Sequence, residues 1–293
     1  MDTMKEYISR LEGIVSREFH EKVITVVGQG AGSYATEKLA RLCPAEIRIG
    51  DMDTVEISNL SRTVYTMKDI GQYKVDALGK RIEEINPDVK VKRFRKDICQ
   101  MDGDEIQELV NGADLIIAGT DQFKAQALLN DLSVAYNIPA IFIGVHIGAL
   151  GGRIVWTIPG ITPCYRCIAR ERFQEFKSQG DLTTDLHGAR GSIIDCQFID
   201  MIALKVSVAI LERRQDSLMG KFFREMDFRN DIMVRCSPEY LWGNMVWDAI
   251  LGDLPVQPRD YAREIKSMLF SMDSVWLKTE FDPNCPVCLG KPS

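Results

Sequence analysis

The chain has 293 residues, 45% of them hydrophobic, which is enough to bury the core of one large α/β domain or two small ones. Its formal net charge of −6 argues against a nucleic-acid binder or a protein that binds anionic membranes. The N-terminal sequence MDTMKEYISRLEG is too charged for a signal peptide, and no run of about 18 apolar residues occurs, so we expect a cytoplasmic protein without a membrane span.

Strands and helices are predicted to alternate along the first half of the chain. Residues 4–22 carry apolar side chains at helical spacing and predict an N-terminal helical segment, 1–22, ahead of the main domain. The predicted strands are 23–27, 46–50, 89–94, 115–118 and 140–144. The predicted helices are 33–42, 74–85, 103–110 and 125–136. This order predicts an α/β fold with a Rossmann-like, doubly wound, mostly parallel sheet.

The main domain is predicted to span residues 23–293. The alternation of strands and helices stops after Gly152, in the middle of this domain. Strands at 153–158 and 275–281 predict antiparallel additions on the C-terminal side, and 193–211 predicts a long apolar helix. The polar stretch 168–191 is predicted to be a crossing loop, either disordered or functional. Residues 213–272 show no pattern that assigns them to helix or strand.

A glycine-rich turn follows the first predicted strand and precedes a helix. It reads Gly28-Gln-Gly30-Ala-Gly32-Ser33. Glycines let the backbone approach phosphate, and a helix N-terminus presents free N–H groups and a positive dipole end. Asp51, at the end of the next strand, is suited to hydrogen-bond a ribose. The combination predicts a nucleotide site and suits both an NAD(P)-dependent dehydrogenase and an ATP enzyme, whereas glycines needed only for packing are the alternative.

Four polar residues beyond this loop favour ATP over NAD(P). They are Asn59, Arg62, Lys74 and Asp121. Hydride transfer needs no such set, whereas an enzyme that splits a triphosphate needs cations to neutralise the phosphoryl group and the departing pyrophosphate. Asp121 follows a buried strand and can hold Mg²⁺ through its carboxylate. Solvated surface cations are the alternative for Arg62 and Lys74.

Two C-x-x-C pairs predict a zinc site. Cys164 and Cys167 form the first pair, and Cys285 and Cys288 the second. Four thiolates complete a tetrahedral Zn²⁺ site, which would clip the C-terminal strand onto the domain. A redox dithiol is the first alternative, but a thioredoxin-like pair opens a helix after a strand and needs no second pair. Buried free thiols are the second alternative.

The motifs D-x-D-x-V-x-x-S-N-L-x-R, G-x-x-K, I-N-P and T-D lie in order between about Val23 and Cys167. This series resembles the ThiF/MoeB/HesA family, the bacterial relatives of ubiquitin-activating enzymes. The resemblance implies an adenylyltransferase that uses ATP to activate the C-terminal carboxylate of a small ubiquitin-like or sulfur-carrier protein with a glycine-terminated tail, or of a peptide, as acyl-AMP. It also implies release of pyrophosphate, a homodimer and a structural Zn²⁺ on the two cysteine pairs.

The resemblance also implies roles for the matching residues. Asp51 would bind the ribose hydroxyls, Asn59 and Arg62 the triphosphate, Lys74 the α-phosphate region, and Asp121 the Mg²⁺. A catalytically silent nucleotide-binding subunit is a further reading, but it would be expected to lose Arg62, Lys74 or Asp121, which are all present.

The chain departs from the family at four places. Several members carry a cysteine in the crossing connection that accepts the activated protein, at a slot matching 182–185, where this chain has none. Cys196 is nearest and is predicted to be a buried helix residue, so we expect adenylation without a thioester step. Gln126 stands where relatives often have an arginine. The third departure is the glycine loop, which has one residue fewer than G-x-G-x-x-G between its last two glycines. The fourth is Arg10, the candidate for an arginine that family dimers often send to the partner's phosphates; it lies closer to the glycine loop than usual.

Overall fold

A computed structural model describes residues 6–30, 32–146, 150–179, 192–236 and 273–289, and within them eight strands form one mixed sheet. The strands, in chain order, are β1 (Val23–Val27), β2 (Glu46–Gly50), β3 (Lys90–Phe94), β4 (Leu115–Ala118), β5 (Ala140–Val145), β6 (Gly151–Thr157), β7 (Asp231–Arg235) and β8 (Asp273–Leu277). Their order across the sheet is β3-β2-β1-β4-β5-β6-β7-β8.

The first five strands are parallel and the last three run antiparallel to their neighbours. Val26 of β1 lies opposite Ile49 of β2 on one side and Ile117 of β4 on the other. β6 pairs antiparallel with β5 and β7, and β7 pairs antiparallel with β8. The predicted fold class, a doubly wound sheet with antiparallel strands added at the C-terminal side, is therefore confirmed.

Helices cover both faces of the sheet. They are α1 (Ser33–Leu42), α2 (Lys74–Ile85), α3 (Gly103–Val110), α4 (Phe123–Ala135), α5 (Tyr165–Ile168), α6 (Arg170–Gln179), α7 (Ile193–Leu211) and α8 (Leu218–Glu225). Leu39, Leu78 and Ile199 bring α1, α2 and α7 into one core, whereas Leu129 and Phe173 bring α4 and α6 into the other. Strand residues alternate between the two cores, which is why β1 and β4 read as continuous apolar runs.

The sequence prediction was wrong in two segments. Within the described residues 6–22 the helix is not continuous: residues 6–8 are α-helical and lead into the 3₁₀ helix Ser9–Leu11, and after a break a second 3₁₀ helix spans Arg17–Glu21. Gly13 lies between them with φ +77°, a conformation that ends a helix. The predicted crossing loop begins instead with α6, because Phe173 and Phe176 pack under Phe123. Residues 180–191 and 237–272 lie outside the described residues.

The remaining differences concern residues that carried no pattern. The stretch that was left unassigned contains α8 and β7, and both pack on α7 or on the sheet. In the described part of the chain, no helix combines the length and apolar character needed to cross a membrane.

Candidate nucleotide and metal sites

The predicted nucleotide residues converge at the carboxyl edge of the parallel strands. From β1 the chain moves outward through β2 and β3 and then returns to β4 on the other side of β1. This reversal opens a crevice beyond the strand ends, where doubly wound sheets bind ligands. The backbone N–H of Gly28 donates to the Gly50 carbonyl and that of Gly119 donates to the Val27 carbonyl, each at 2.8 Å, so the loops after β1, β2 and β4 meet there.

The three glycines of the turn have different structural roles. Gly28 has φ +93°, and a Cβ on it would lie 2.5 Å from backbone atoms of Gly119 and Thr120. A Cβ on Gly32 would lie 3.1 Å from the Gly28 carbonyl oxygen. Around Gly30, by contrast, a Cβ would meet nothing within 4 Å. Gly28 is therefore required by packing and Gly32 is tightly packed, whereas the absence of a side chain at Gly30 leaves space beside the backbone for a ligand.

Asp51 is the best-defined polar group of the crevice. Its Oδ2 accepts from the Gln29 N–H at 2.6 Å and its Oδ1 accepts from the Asp53 N–H at 2.8 Å. Burial raises the pKa of Asp51 above its usual value, although Lys74 and the two N–H groups act in the opposite direction. The loops after β1 and β2 are thus joined through one buried carboxylate.

Lys74, the first residue of α2, belongs to the same cluster. Its Nζ lies 2.6 Å from Asp53 Oδ2 and 3.9 Å from Asp51 Oδ1, and the lysine side chain is 10% exposed. The Asp53 side chain is 53% exposed, so it can return to solvent if Lys74 contacts an anion. Sequence reasoning assigned no role to Asp53, although the D-x-D pattern after β2 was a usable signal.

A buried tyrosine ties this cluster to the glycine turn. Tyr65 donates from its hydroxyl to the Gln29 carbonyl at 2.8 Å and lies 3.3 Å from the Lys74 carbonyl. Burial raises the pKa of Tyr65 well above its usual value, which keeps the hydroxyl a donor. The Gln29 side chain in turn accepts from Thr36 of α1. These anchors were missed from the sequence because a buried tyrosine has no spacing signature.

Asn59 and Arg62 lie on the segment that leads from β2 to α2. Asn59 is buried, and its Oδ1 accepts from the Glu56 N–H at 3.0 Å. Its side-chain nitrogen is a donor, the polarity that a phosphate oxygen requires. Arg62 is half-buried. Burial raises the pKa of Cys196 on α7, and the positive charge of Arg62 has a smaller, opposite effect on the same thiol. Ile193 of α7 donates to the Ser61 carbonyl at 3.1 Å, so this segment packs at the N-terminus of α7.

Asp121 lies on the loop after β4. It is exposed, and it follows Gly119 and Thr120 at the same edge of the sheet as Gly28 and Asp51. The Thr120 carbonyl accepts from Gln126 Nε2 at 2.7 Å. The structure therefore brings the candidate metal carboxylate to the mouth of the crevice, opposite the loop that carries Asp51.

Arg10 lies in the 3₁₀ helix Ser9–Leu11, in the segment that precedes β1. The neighbouring Ser16 N–H donates to Glu212 at the C-terminal end of α7, and His20 contacts the Cys43 carbonyl at the C-terminal end of α1. α7 has 19 residues and is about 27 Å long, and the Ser61 contact is at its other end. Ser16, six residues after Arg10, therefore lies at the opposite end of α7 from the segment that carries Asn59 and Arg62.

Cys196 is confirmed as a buried residue of α7. It is 2% exposed, and burial raises its pKa to about 11, which keeps it a thiol at neutral pH. A thiol in this state is a poor nucleophile. The slot at 182–185, where relatives carry a cysteine, lies outside the described residues.

The four predicted zinc ligands form one cluster. Their Sγ atoms all lie within 4.8 Å of one another, with Cys164–Cys285 at 3.6 Å and Cys167–Cys288 at 3.3 Å. Zn–S bonds of about 2.3 Å in a tetrahedron separate the sulfurs by about 3.8 Å, so the cluster fits Zn²⁺. The hydrogen bond from Cys164 lowers the pKa of Cys167, which favours the thiolate form that metals bind, and raises the pKa of Cys164.

Comparison with known proteins agrees with this geometry. The chain is 32% identical over 157 residues to a sulfur carrier protein ThiS adenylyltransferase of Bacillus subtilis, covering 52% of this chain and 45% of that protein. It is 29% identical over 164 residues to ubiquitin-like modifier-activating enzyme 5 of Arabidopsis thaliana, covering 52% and 38%. A SAMP-activating enzyme E1 of Haloferax volcanii is 28% identical over 181 residues, covering 61% and 65%. The chain thus spans less than two thirds of each relative's length.

Solved structures share the fold over nearly the whole chain. E. coli MccB, crystallised with ATP, superposes with a TM-score of 0.63 at 16% identity, covering 92% of this chain and 68% of that one. PaaA superposes with a TM-score of 0.60 at 18% identity, covering 80% of each chain. At sequence level, the model of the ThiF family matches residues 15–232, which include every nucleotide-site position described above except Arg10. The chain belongs to the ThiF family.

Proposed function

We propose that this protein is an ATP-dependent adenylyltransferase that activates the C-terminal carboxylate of a small protein or peptide as acyl-AMP. The observation that carries the proposal is the cluster at the carboxyl edge of the sheet, where Asp51 binds the backbone of the glycine turn and Lys74 lies beside it. Relatives named as adenylyltransferases or activating enzymes support it. Their names also favour it over the dehydrogenase alternative.

The crevice suits the adenosine and phosphate groups of ATP. Asp51 supplies a carboxylate for the ribose hydroxyls, and the open side of Gly30 and the N-terminus of α1 accommodate phosphates. Asn59, Arg62 and Lys74 contribute donors and positive charge around the triphosphate. Asp121 would hold Mg²⁺, which supplies charge neutralisation to the triphosphate when bound.

The reaction needs alignment and charge stabilisation more than covalent catalysis. A carboxylate oxygen of the substrate forms a bond to the α-phosphorus, and the bond from that phosphorus to the bridging oxygen breaks, releasing pyrophosphate. Neither step transfers a proton, so no general base is required. Lys74 would stabilise the negative charge that develops on the α-phosphoryl group, an effect typically worth a hundredfold or more in rate.

The substrate class follows from the same relatives. They are named for ThiS, for SAMP and for ubiquitin-like modifiers, and MccB structures contain MccA. We infer a ubiquitin-like or sulfur-carrier protein with a flexible glycine-terminated tail, or a peptide, because an extended tail can enter a crevice at the edge of a sheet. A reduced, cytoplasmic setting suits the four thiolates of the proposed structural Zn²⁺.

The proposal is tested by ATP–pyrophosphate exchange with small proteins that end in Gly-Gly. We expect exchange that requires Mg²⁺ and the intact tail. Lys74→Ala should lower the exchange rate about a hundredfold or more, and Asp121→Ala should abolish it. Lys80→Ala and Asp104→Ala are the matched controls, since both side chains are exposed and lie away from the crevice. Exchange at the wild-type rate in Asp121→Ala would refute the metal assignment.

We further propose a homodimer in which Arg10 acts on the partner's site. The apolar stripe of the N-terminal segment is not the face of one continuous helix, and Leu11 packs on the chain's own core. Exposed apolar side chains at the N-terminus of α7, Ile193 and Ile194, support a dimer surface next to the nucleotide site. Mixing Arg10→Ala with Asp121→Ala chains should restore one of the two sites in each heterodimer. A mixture that stays inactive while light scattering reports exchanging dimers would exclude this role for Arg10.

A further inference from the structure

A chain of buried side chains connects the cysteine cluster with the loop that carries Asp121. Tyr165 lies between Cys164 and Cys167, at the start of α5, and is 5% exposed. Its hydroxyl donates to Gln126 Oε1 at 2.9 Å. Gln126, on α4, is 3% exposed and donates from Nε2 to the Thr120 carbonyl at 2.7 Å. Two hydrogen bonds therefore separate the first cysteine pair from the peptide bond that precedes Asp121.

The position of the Tyr165 hydroxyl is itself well determined. The tyrosine ring stacks on Phe142 of β5, with ring centroids 4.2 Å apart and planes 10° from parallel. Arg172 of α6 donates to the hydroxyl oxygen at 3.2 Å, which leaves the hydroxyl proton for Gln126. The ring is thus held by the sheet, by α6 and by the two cysteines on either side of it.

The bond to Thr120 bears directly on the orientation of Asp121. A peptide unit is planar, so fixing the Thr120 carbonyl also fixes the direction of the Asp121 N–H and of the bond from this nitrogen to the Asp121 Cα. The other side of this loop rests against Gly28, where no Cβ could fit. The loop is therefore held between the glycine turn and Gln126. Of these two contacts, the one with Gln126 is made by a side chain and can be changed by substitution.

We propose that Tyr165 is a positioning residue for the Thr120–Asp121 loop, acting through Gln126, so that the cysteine cluster sets the geometry of the Mg²⁺ carboxylate. This role rests on the proposed function, because it assigns Asp121 to Mg²⁺–ATP. An alternative, in which the two hydrogen bonds only satisfy buried polar atoms, predicts a loss of stability with no effect specific to Mg²⁺.

The experiment is calorimetric binding of a non-hydrolysable ATP analogue over a range of Mg²⁺ concentrations. Tyr165→Phe removes the hydroxyl and keeps the stacked ring. We expect the half-saturating Mg²⁺ concentration to rise roughly tenfold, about 1.4 kcal/mol, while binding measured without added Mg²⁺ and the zinc content both stay at wild-type values. Gln126→Leu should give the same shift, and the double variant should give no more than either single one, because both changes break one pathway.

Two matched variants separate positioning from stability. Tyr136→Phe alters an exposed tyrosine after the end of α4 and should change nothing. Phe142→Leu weakens the ring stack and should lower the melting temperature with less effect on the Mg²⁺ requirement. A wild-type Mg²⁺ requirement in Tyr165→Phe, or an equal loss of binding with and without Mg²⁺, would overturn the role of Tyr165 alone. A wild-type protein that binds no ATP analogue would overturn the proposed function together with it.

Discussion

The two glycines Gly28 and Gly30 allow the packing function of the turn to be separated from its ligand function. In Gly28→Ala the new Cβ would lie 2.5 Å from the Gly119 carbonyl carbon and the Thr120 nitrogen, and the backbone would keep φ +93°. Strain at this φ costs about 1–2 kcal/mol, and overpacking against backbone costs about 1–3 kcal/mol. The sum, about 2–5 kcal/mol, is a large part of a stability of about 5–15 kcal/mol.

Gly30→Ala should behave in the opposite way. The added Cβ meets no protein atom within 4 Å, so the free energy of unfolding should stay constant or rise by about 0.4–1 kcal/mol through the lower entropy of the unfolded chain. The methyl group would occupy the space in which a phosphate approaches the backbone. ATP affinity should therefore fall at least roughly tenfold, about 1.4 kcal/mol.

Thermal melting and ATP calorimetry on the same three variants test this reasoning. Gly28→Ala should lower the melting temperature by roughly 5–15 °C, whereas Gly30→Ala should leave it within about 2 °C. Gly103→Ala, at the start of α3, also adds a Cβ to open space and should change neither quantity. A Gly30→Ala protein with wild-type ATP affinity would refute the assignment of this turn to the phosphates.

Three further predictions concern the metal, the thiols and pH. Metal analysis should find about one zinc per chain, and Cys285→Ser should lower the melting temperature far more than it lowers ATP affinity; a stable metal-free protein would contradict the structural role. Cys196→Ala should retain pyrophosphate exchange, and native Cys196 should resist iodoacetamide at pH 8 because burial raises its pKa to about 11. Burial also raises the pKa of Asp51, so this carboxylate becomes protonated at a higher pH than an ordinary aspartate. As the pH is lowered, ATP affinity should therefore begin to fall before the usual pKa of an aspartate is reached, and Asp51→Asn should remove this dependence.

The helices that could be predicted from the sequence are those with an apolar side that packs into one of the two cores. The bounds of α1, α2, α3 and α7 agree with their predicted ranges because each has a clear start and a distinct end, such as the Asn-Pro after α2. The prediction of one helix through the N-terminal segment was wrong for an identifiable reason. Residues 6–11 are helical, but Gly13 with φ +77° ends this stretch, and Val15 packs on the core after the break.

Three elements of the C-terminal half, α6, α8 and β7, were missed, and for α6 and β7 the tertiary contacts that stabilise them explain why. β7 contains Asp231, whose carboxylate forms a bidentate pair with Arg153 of β6 at 2.6 and 2.7 Å, and no sequence pattern links residues that are 78 positions apart. α6 is polar overall, and only its contacts with Phe123 identify the buried side. Local sequence carries no record of such partners.

Residues that contact the ligand of the nucleotide site could be predicted from the sequence, whereas the residues that hold its loops in place could not. Loops lack the regular backbone hydrogen bonds of helices and sheets, so their buried carbonyls need other hydrogen-bond donors. Here the donors are buried side chains: Tyr34 binds the Thr63 carbonyl and Tyr65 binds the Gln29 carbonyl. A residue that contacts a ligand must be exposed and chemically specific, which makes it visible as a motif. A residue that holds a loop needs only reach and one polar atom, so many sequences serve, and its role becomes apparent only when the fold brings donor and carbonyl together.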